Sequence, residues 1–124
     1  MAPCKLIITH QQCLADIIRA FETQFPYLKL AFYKKHDVLI SVKNKTERLP
    51  GDTKINTLVD SFNEVQILLQ RQKRVFELIE EIYTKTGLYA QLFRKSGRSW
   101  LKTTLTDDWT LERQNSAGYE LSQI

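Results

Sequence analysis

Cys4-Lys5-Leu6-Ile7-Ile8 and, 61 positions later, Val65-Gln66-Ile67-Leu68-Leu69 open two stretches that read alike. Residues 4–35, CKLIITHQQCLADIIRAFETQFPYLKLAFYKK, fall on residues 65–96, VQILLQRQKRVFELIEEIYTKTGLYAQLFRKS, without a gap. Leu14, Ile17, Ile18 and Phe21 lie over Val75, Leu78, Ile79 and Ile82, Phe32 over Phe93, and Lys34 over Lys95. A hydrophobic pattern that recurs at a fixed offset describes one supersecondary unit used twice, and it constrains architecture more than local propensity does.

The first unit begins with the β-rich run Lys5-Leu6-Ile7-Ile8. Leu14, Ile17, Ile18, Phe21 and Phe25 then follow the spacing of a single apolar helix stripe. Pro26 ends that helix, because it has no amide hydrogen to donate and biases Phe25 away from helical angles. Leu28, Leu30 and Phe32 alternate with Lys29, Ala31 and Tyr33, the period of a strand; Lys35-His36-Asp37 breaks it and Val38, Ile40 and Val42 alternate again. In the second unit 65–69 is the strand, and Val75, Leu78, Ile79, Ile82 and Tyr83 are the stripe. Gly87 is a left-handed C-cap, 88–93 the next strand, Ser96-Gly97 a tight turn and 100–104 the return strand. The fold expected is α+β: duplicated β-α-β-β units, 4–43 and 65–104, forming a sheet with two main helices, near 11–25 and 72–86, packed on one face. Each β-α-β crossover should be right-handed. The other sheet face is then solvated, covered or used for binding.

Two segments fall outside the clear repeat. In the connection 44–64, Ile55, Leu58, Val59 and Phe62 have helical spacing and suggest a short packing helix. In the C-terminal segment 105–124, Thr106 or Asp107 is placed to cap a helix, with Asp107 and Asp108 at its positive end and Gly118 as a stop.

At 124 residues, 43% apolar and 26% charged, the chain has the composition of one soluble globular domain, 1–124. No apolar run approaches the ~20 residues that span a bilayer. The start, Met1-Ala2-Pro3-Cys4-Lys5, lacks the basic and apolar regions of a secretory signal, so a cytoplasmic monomer with no membrane partner is expected. Cys4 and Cys13 read as buried or half-buried thiols; paired zinc-ligand spacing is absent.

The run Gly87-Leu88, Gln91-Leu92-Phe93-Arg94-Lys95-Ser96-Gly97, Trp100-Leu101-Lys102-Thr103-Thr104, Thr106-Asp107-Asp108-Trp109-Thr110-Leu111-Glu112 and Gln114-Asn115 resembles a group of small bacterial proteins of about this length. Phe25-Pro26-Tyr27-Leu28-Lys29 is a weaker echo of them. The resemblance implies a bacterial, cytosolic, single-domain protein. It implies no activity, cofactor or catalytic residue.

No catalytic motif is present. The four glycines, at 51, 87, 97 and 118, are too scattered for a phosphate loop, and Ser96 and Ser99 lack a nucleophile elbow. His10 at a strand end and His36 at a turn read as exposed structural residues, Trp100 and Trp109 as core anchors. The net charge of +4 permits contact with anions without requiring it. Candidate partner-binding residues are Tyr33, Lys34, Lys35, Arg94, Lys95 and Arg98, aromatic and basic side chains around two hairpins. The expectation is therefore a non-enzymatic domain without cofactor or metal, binding a protein through a sheet face or edge. The alternative is weak binding of single-stranded nucleic acid through the hairpins.

Overall fold

The computed structural model describes residues 4–34 and 48–123. The expected strand over 38–42, with Lys35 and His36, lies outside them. The element order is β1 (Cys4–Ile8), α1 (Leu14–Gln24), β2 (Leu28–Tyr33), a tight helical turn (Ile55–Thr57), β3 (Val65–Leu69), α2 (Val75–Thr86), β4 (Tyr89–Ser96), β5 (Ser99–Lys102), a second tight turn (Thr104–Thr106) and α3 (Leu111–Ser122). The class is α+β as expected, and both stripe helices form where the apolar spacing places them.

The single sheet is a correction. The strands make two antiparallel sheets, β1-β3 and β2-β4-β5. The two strands that flank each helix go to different sheets, so the handedness rule for parallel crossovers within a sheet has nothing to act on. Pairing runs instead between the two halves. Leu6 faces Ile67, with Cys4 opposite Leu69 and Ile8 opposite Val65. Leu28 faces Arg94 and Tyr33 faces Tyr89. Both registers map onto themselves when each residue is exchanged for its partner in the 61-residue shift.

One core joins these parts. Leu6, Ile8 and Ile67 of the ribbon, Leu14, Ile17 and Phe21 of α1, and Leu78 and Ile82 of α2 are all fully enclosed, packed with Leu28, Leu30 and Phe32 of β2. Ile18 and Ile79 are half-buried at its margin, and Tyr83, read as part of the second stripe, is exposed. Gly87 closes α2 at φ +83°, its N–H donating to Tyr83 O at 2.8 Å, and Gly97 makes the β4–β5 turn at φ +58°.

The segments outside the repeat have a shared task. The first amides of a helix need acceptors beyond the helix. Leu14 N and Ala15 N of α1 donate to Thr53 O (3.0 Å) and Gly51 O (2.8 Å). Val75 N and Phe76 N of α2 donate to Trp109 O (3.0 Å) and Asp107 O (2.9 Å). Ile55 N returns a bond to Gln12 O and Leu111 N to Lys73 O. Each helix start is thus braced by a strap from its own half.

These straps change two expectations. The helix expected from Ile55 to Phe62 is one turn, Ile55–Thr57 with Leu58 as its cap, ahead of Asp60-Ser61, residues that favour caps and turns over helix interiors. The C-terminal helix starts after Thr110, whose hydroxyl accepts from Arg113 N at 3.1 Å, and Asp107 and Asp108 precede it as strap residues. It also runs through Gly118, because a β-carbon there would sit 2.8 Å from Tyr27 Cβ and 2.9 Å from Tyr27 O. Glycine permits close approach of α3 to the start of β2 and does not stop the helix.

Candidate binding surfaces

The six residues expected to bind a partner do not share a site. Because β2 and β4 run antiparallel, Tyr33 pairs with Tyr89 at one end of the sheet and Leu28 with Arg94 at the other. Lys34 therefore lies at the end opposite Arg94, Lys95 and Arg98. Tyr33 is buried; burial pushes its phenol up while Arg48 beside it pulls the other way. Lys34 and Arg98 are exposed. Arg94 turns to the α3 side, donating to Gln114 Oε1 at 3.1 Å with its guanidinium 5.5 Å from the Trp109 ring. Its Nε is enclosed and has no hydrogen-bond partner among the described residues. Lys95 points to the opposite face, half-buried, 5.1 Å from the Trp100 ring centre.

That opposite face gathers residues from three strands. Strand alternation places Lys29, Ala31 and Tyr33 on it from β2, with Gln91, Phe93 and Lys95 from β4 and Trp100 and Lys102 from β5. Ala31, Tyr33 and Phe93 form a small buried cluster with Trp100 packed against it. Lys29 lies 5.7 Å from the Trp100 ring centre, and Arg48 stacks over Phe93 at 4.3 Å. Lys29 and Arg48 were missed in the sequence. Lys29 alternates with Leu28 and Leu30 and so was legible as outward-facing; Arg48 sits in the connection, where periodicity gives no signal.

A cleft of about 810 Å³ lies elsewhere, between the Leu58–Phe62 segment, the end of α2 and the Tyr33–Lys34 corner. Tyr83 and Tyr89 meet there with ring centres 4.8 Å apart and planes tilted by 47°, and hydrogen bonding with Tyr83 raises the Tyr89 phenol above its usual range. Asp60 and Lys34 are the charged residues of its lining. Asp107, Asp108 and His10 do not line it. His10 is half-buried where exposure was expected: its Nε2 lies 3.0 Å from Val59 O and its ring meets Phe62 edge-on at 5.5 Å, fastening the cleft wall.

The β1-β3 ribbon offers a third surface. Its inward residues are buried, apart from half-buried Cys4, and its outward ones, Lys5, Ile7, Gln66 and Leu68, are exposed. Ile7 sits opposite Gln66 and Lys5 opposite Leu68, so the two apolar side chains are diagonal neighbours. Among the described residues β3 pairs only with β1, and its backbone makes no hydrogen bond beyond that ladder.

Cys4 and Cys13 are free and half-buried. Among the described residues no group of three or more His, Cys, Asp or Glu is placed to hold a metal ion, and no helix is long and apolar enough to cross a membrane. No family model matches the chain, and no curated protein or solved structure matches it.

Proposed function

We propose that this protein is a non-catalytic binding module that takes an extended segment of a partner protein by strand addition to β3. The observation that carries this reading is the character of that edge. Val65-Gln66-Ile67-Leu68-Leu69 has no charge, proline, glycine or bulge, the devices that usually shield an open strand. Main-chain bonds along it would supply affinity, and alternate side chains of the incoming strand would meet the exposed Ile7–Leu68 pair. The free thiols support a reducing compartment, and the protein is read as a bacterial, cytoplasmic monomer.

A phage-displayed peptide library panned on the protein tests this. Enriched peptides should alternate apolar and polar residues, and their binding should fall at least ~10-fold in Leu68→Lys, as a charge protects an edge. Enrichment that is indifferent to Leu68→Lys would reject the ribbon as the binding surface. Failure to enrich any sequence would count against peptide recognition.

A further inference from the structure

We propose that the face of the β2-β4-β5 sheet turned away from α1 and α2 binds single-stranded nucleic acid, with Lys29, Arg48, Lys95 and Lys102 neutralising phosphates and Trp100 stacking a base. This surface is separate from the β3 edge and does not depend on that reading.

Charge complementarity is the first argument. No Asp or Glu occupies any strand position of this face. Among the described residues the ion pairs are Lys73–Glu81 and Lys85–Glu81, and none of the four cations is paired with a described carboxylate. Glu22 lines a pocket of about 380 Å³ at the β2 margin together with Lys29, Arg48 and Arg19. Cations gathered on one sheet face attract a polyanion whatever its sequence.

The aromatic ring selects among polyanions. Trp100 is half-exposed, with ammonium groups from two neighbouring strands 5.1 and 5.7 Å from its ring centre. A base on that ring would keep its own phosphates within reach of Lys29 and Lys95. Stacking is worth about 1–3 kcal/mol per base and tolerates any base. An acidic polypeptide would use the cations and leave the ring idle. Phe93 is buried beneath Arg48 and adds rigidity to the platform without offering its own face.

The test uses a fluorescein-labelled oligothymidylate 20-mer with the whole protein, read by anisotropy and by tryptophan quenching. Saturable binding at low salt is expected, with a slope of log K against log salt of about −2 to −3, the value for three or four phosphates on a single strand. Lys95→Glu with Lys102→Glu should weaken binding at least ~10-fold. Lys34→Glu with Arg98→Glu changes net charge equally and should weaken it much less. Trp100→Phe should remove most of the quenching, leaving Trp109 on the far side as a silent reporter. Absence of saturable binding at low salt would overturn the proposal, as would equal loss in both charge-reversed pairs. Displacement by polyglutamate at equal charge, with no quenching by the oligonucleotide, would assign the face to acidic polypeptides instead. Unchanged melting curves for the variants separate loss of contact from loss of fold.

Discussion

Leu6 and Ile67 face each other at the centre of the β1-β3 ladder, and they are also counterparts under the 61-residue shift. Both are fully buried beneath the helices. The ribbon is therefore a structural keystone, and among the described residues nothing pairs with the outer edge of β3. A two-stranded ribbon has little stability of its own and depends on what packs beneath it.

The helix stripes are not uniform in weight. Ile17 and Leu78 are wholly enclosed, whereas Ile18 and Ile79 sit at the margin. Replacing Ile17 or Leu78 by Ala should cost about 2–5 kcal/mol. Ile18→Ala and Ile79→Ala should each cost about 1 kcal/mol. Urea denaturation of the four variants gives the ranking; equal losses would mean the margin packs as tightly as the centre.

Gly118→Ala and Gly97→Ala separate two uses of glycine. At Gly118 a methyl would meet the side chain and carbonyl of Tyr27, whereas at Gly97 it meets open space but must hold φ +58°. Gly118→Ala should cost about 1–3 kcal/mol despite the gain in helix propensity. Gly97→Ala should cost about 1 kcal/mol, the penalty of a left-handed residue. Thermal melts in which Gly118→Ala stabilises would show that α3 does not pack closely on Tyr27.

Thr110→Ala should destabilise by about 1 kcal/mol through loss of the bond from Arg113 N. Asp107→Ala and Asp108→Ala should stay within about 0.5 kcal/mol, since their carbonyls rather than their carboxylates hold the α2 strap. The reverse order in denaturant midpoints would restore the aspartates as the cap.

Glu81 provides the pH dependence. Burial pushes its carboxyl up, but hydrogen bonds from Lys73 and Lys85, at 2.5 and 2.7 Å, outweigh it and hold the carboxyl below its usual range. A depressed folded-state value contributes stability above the unfolded value of about 4.3, and that contribution fades as pH falls through the folded value. Glu81→Gln should cost about 0.5–1 kcal/mol at neutral pH. The gap should close under acid conditions in melts recorded across the acid limb; a gap that persists at low pH would assign the loss to packing.

The elements were legible because Leu14, Ile17 and Phe21 carry a helical period and Leu28, Leu30 and Phe32 a strand period. Period alone does not name a strand's partner. Leu6 and Ile67 look equally able to pair within a half or between halves, and only packing under both helices selects the second. The straps were hidden for a different reason. Gly51 and Thr53 correspond to Asp107 and Trp109 at an offset of 56, not 61, and they act through carbonyl groups that every residue has. Gly118 was misread because a buried close approach and a C-cap use the same residue. The dispersal of the candidate cations followed from the same gap: Lys34 and Lys95 align in sequence, but antiparallel pairing sends them to opposite ends.

Amide hydrogen exchange of the protein with a peptide selected in the panning tests the strand-addition reading most directly. Amides of Val65–Leu69 whose N–H groups point away from β1 should exchange fast in the free protein and be slowed at least ~10-fold by the peptide, as new main-chain bonds form. Slowing confined to β5, to the Trp100 face or to the tyrosine cleft, with Val65–Leu69 unchanged, would contradict binding at this edge.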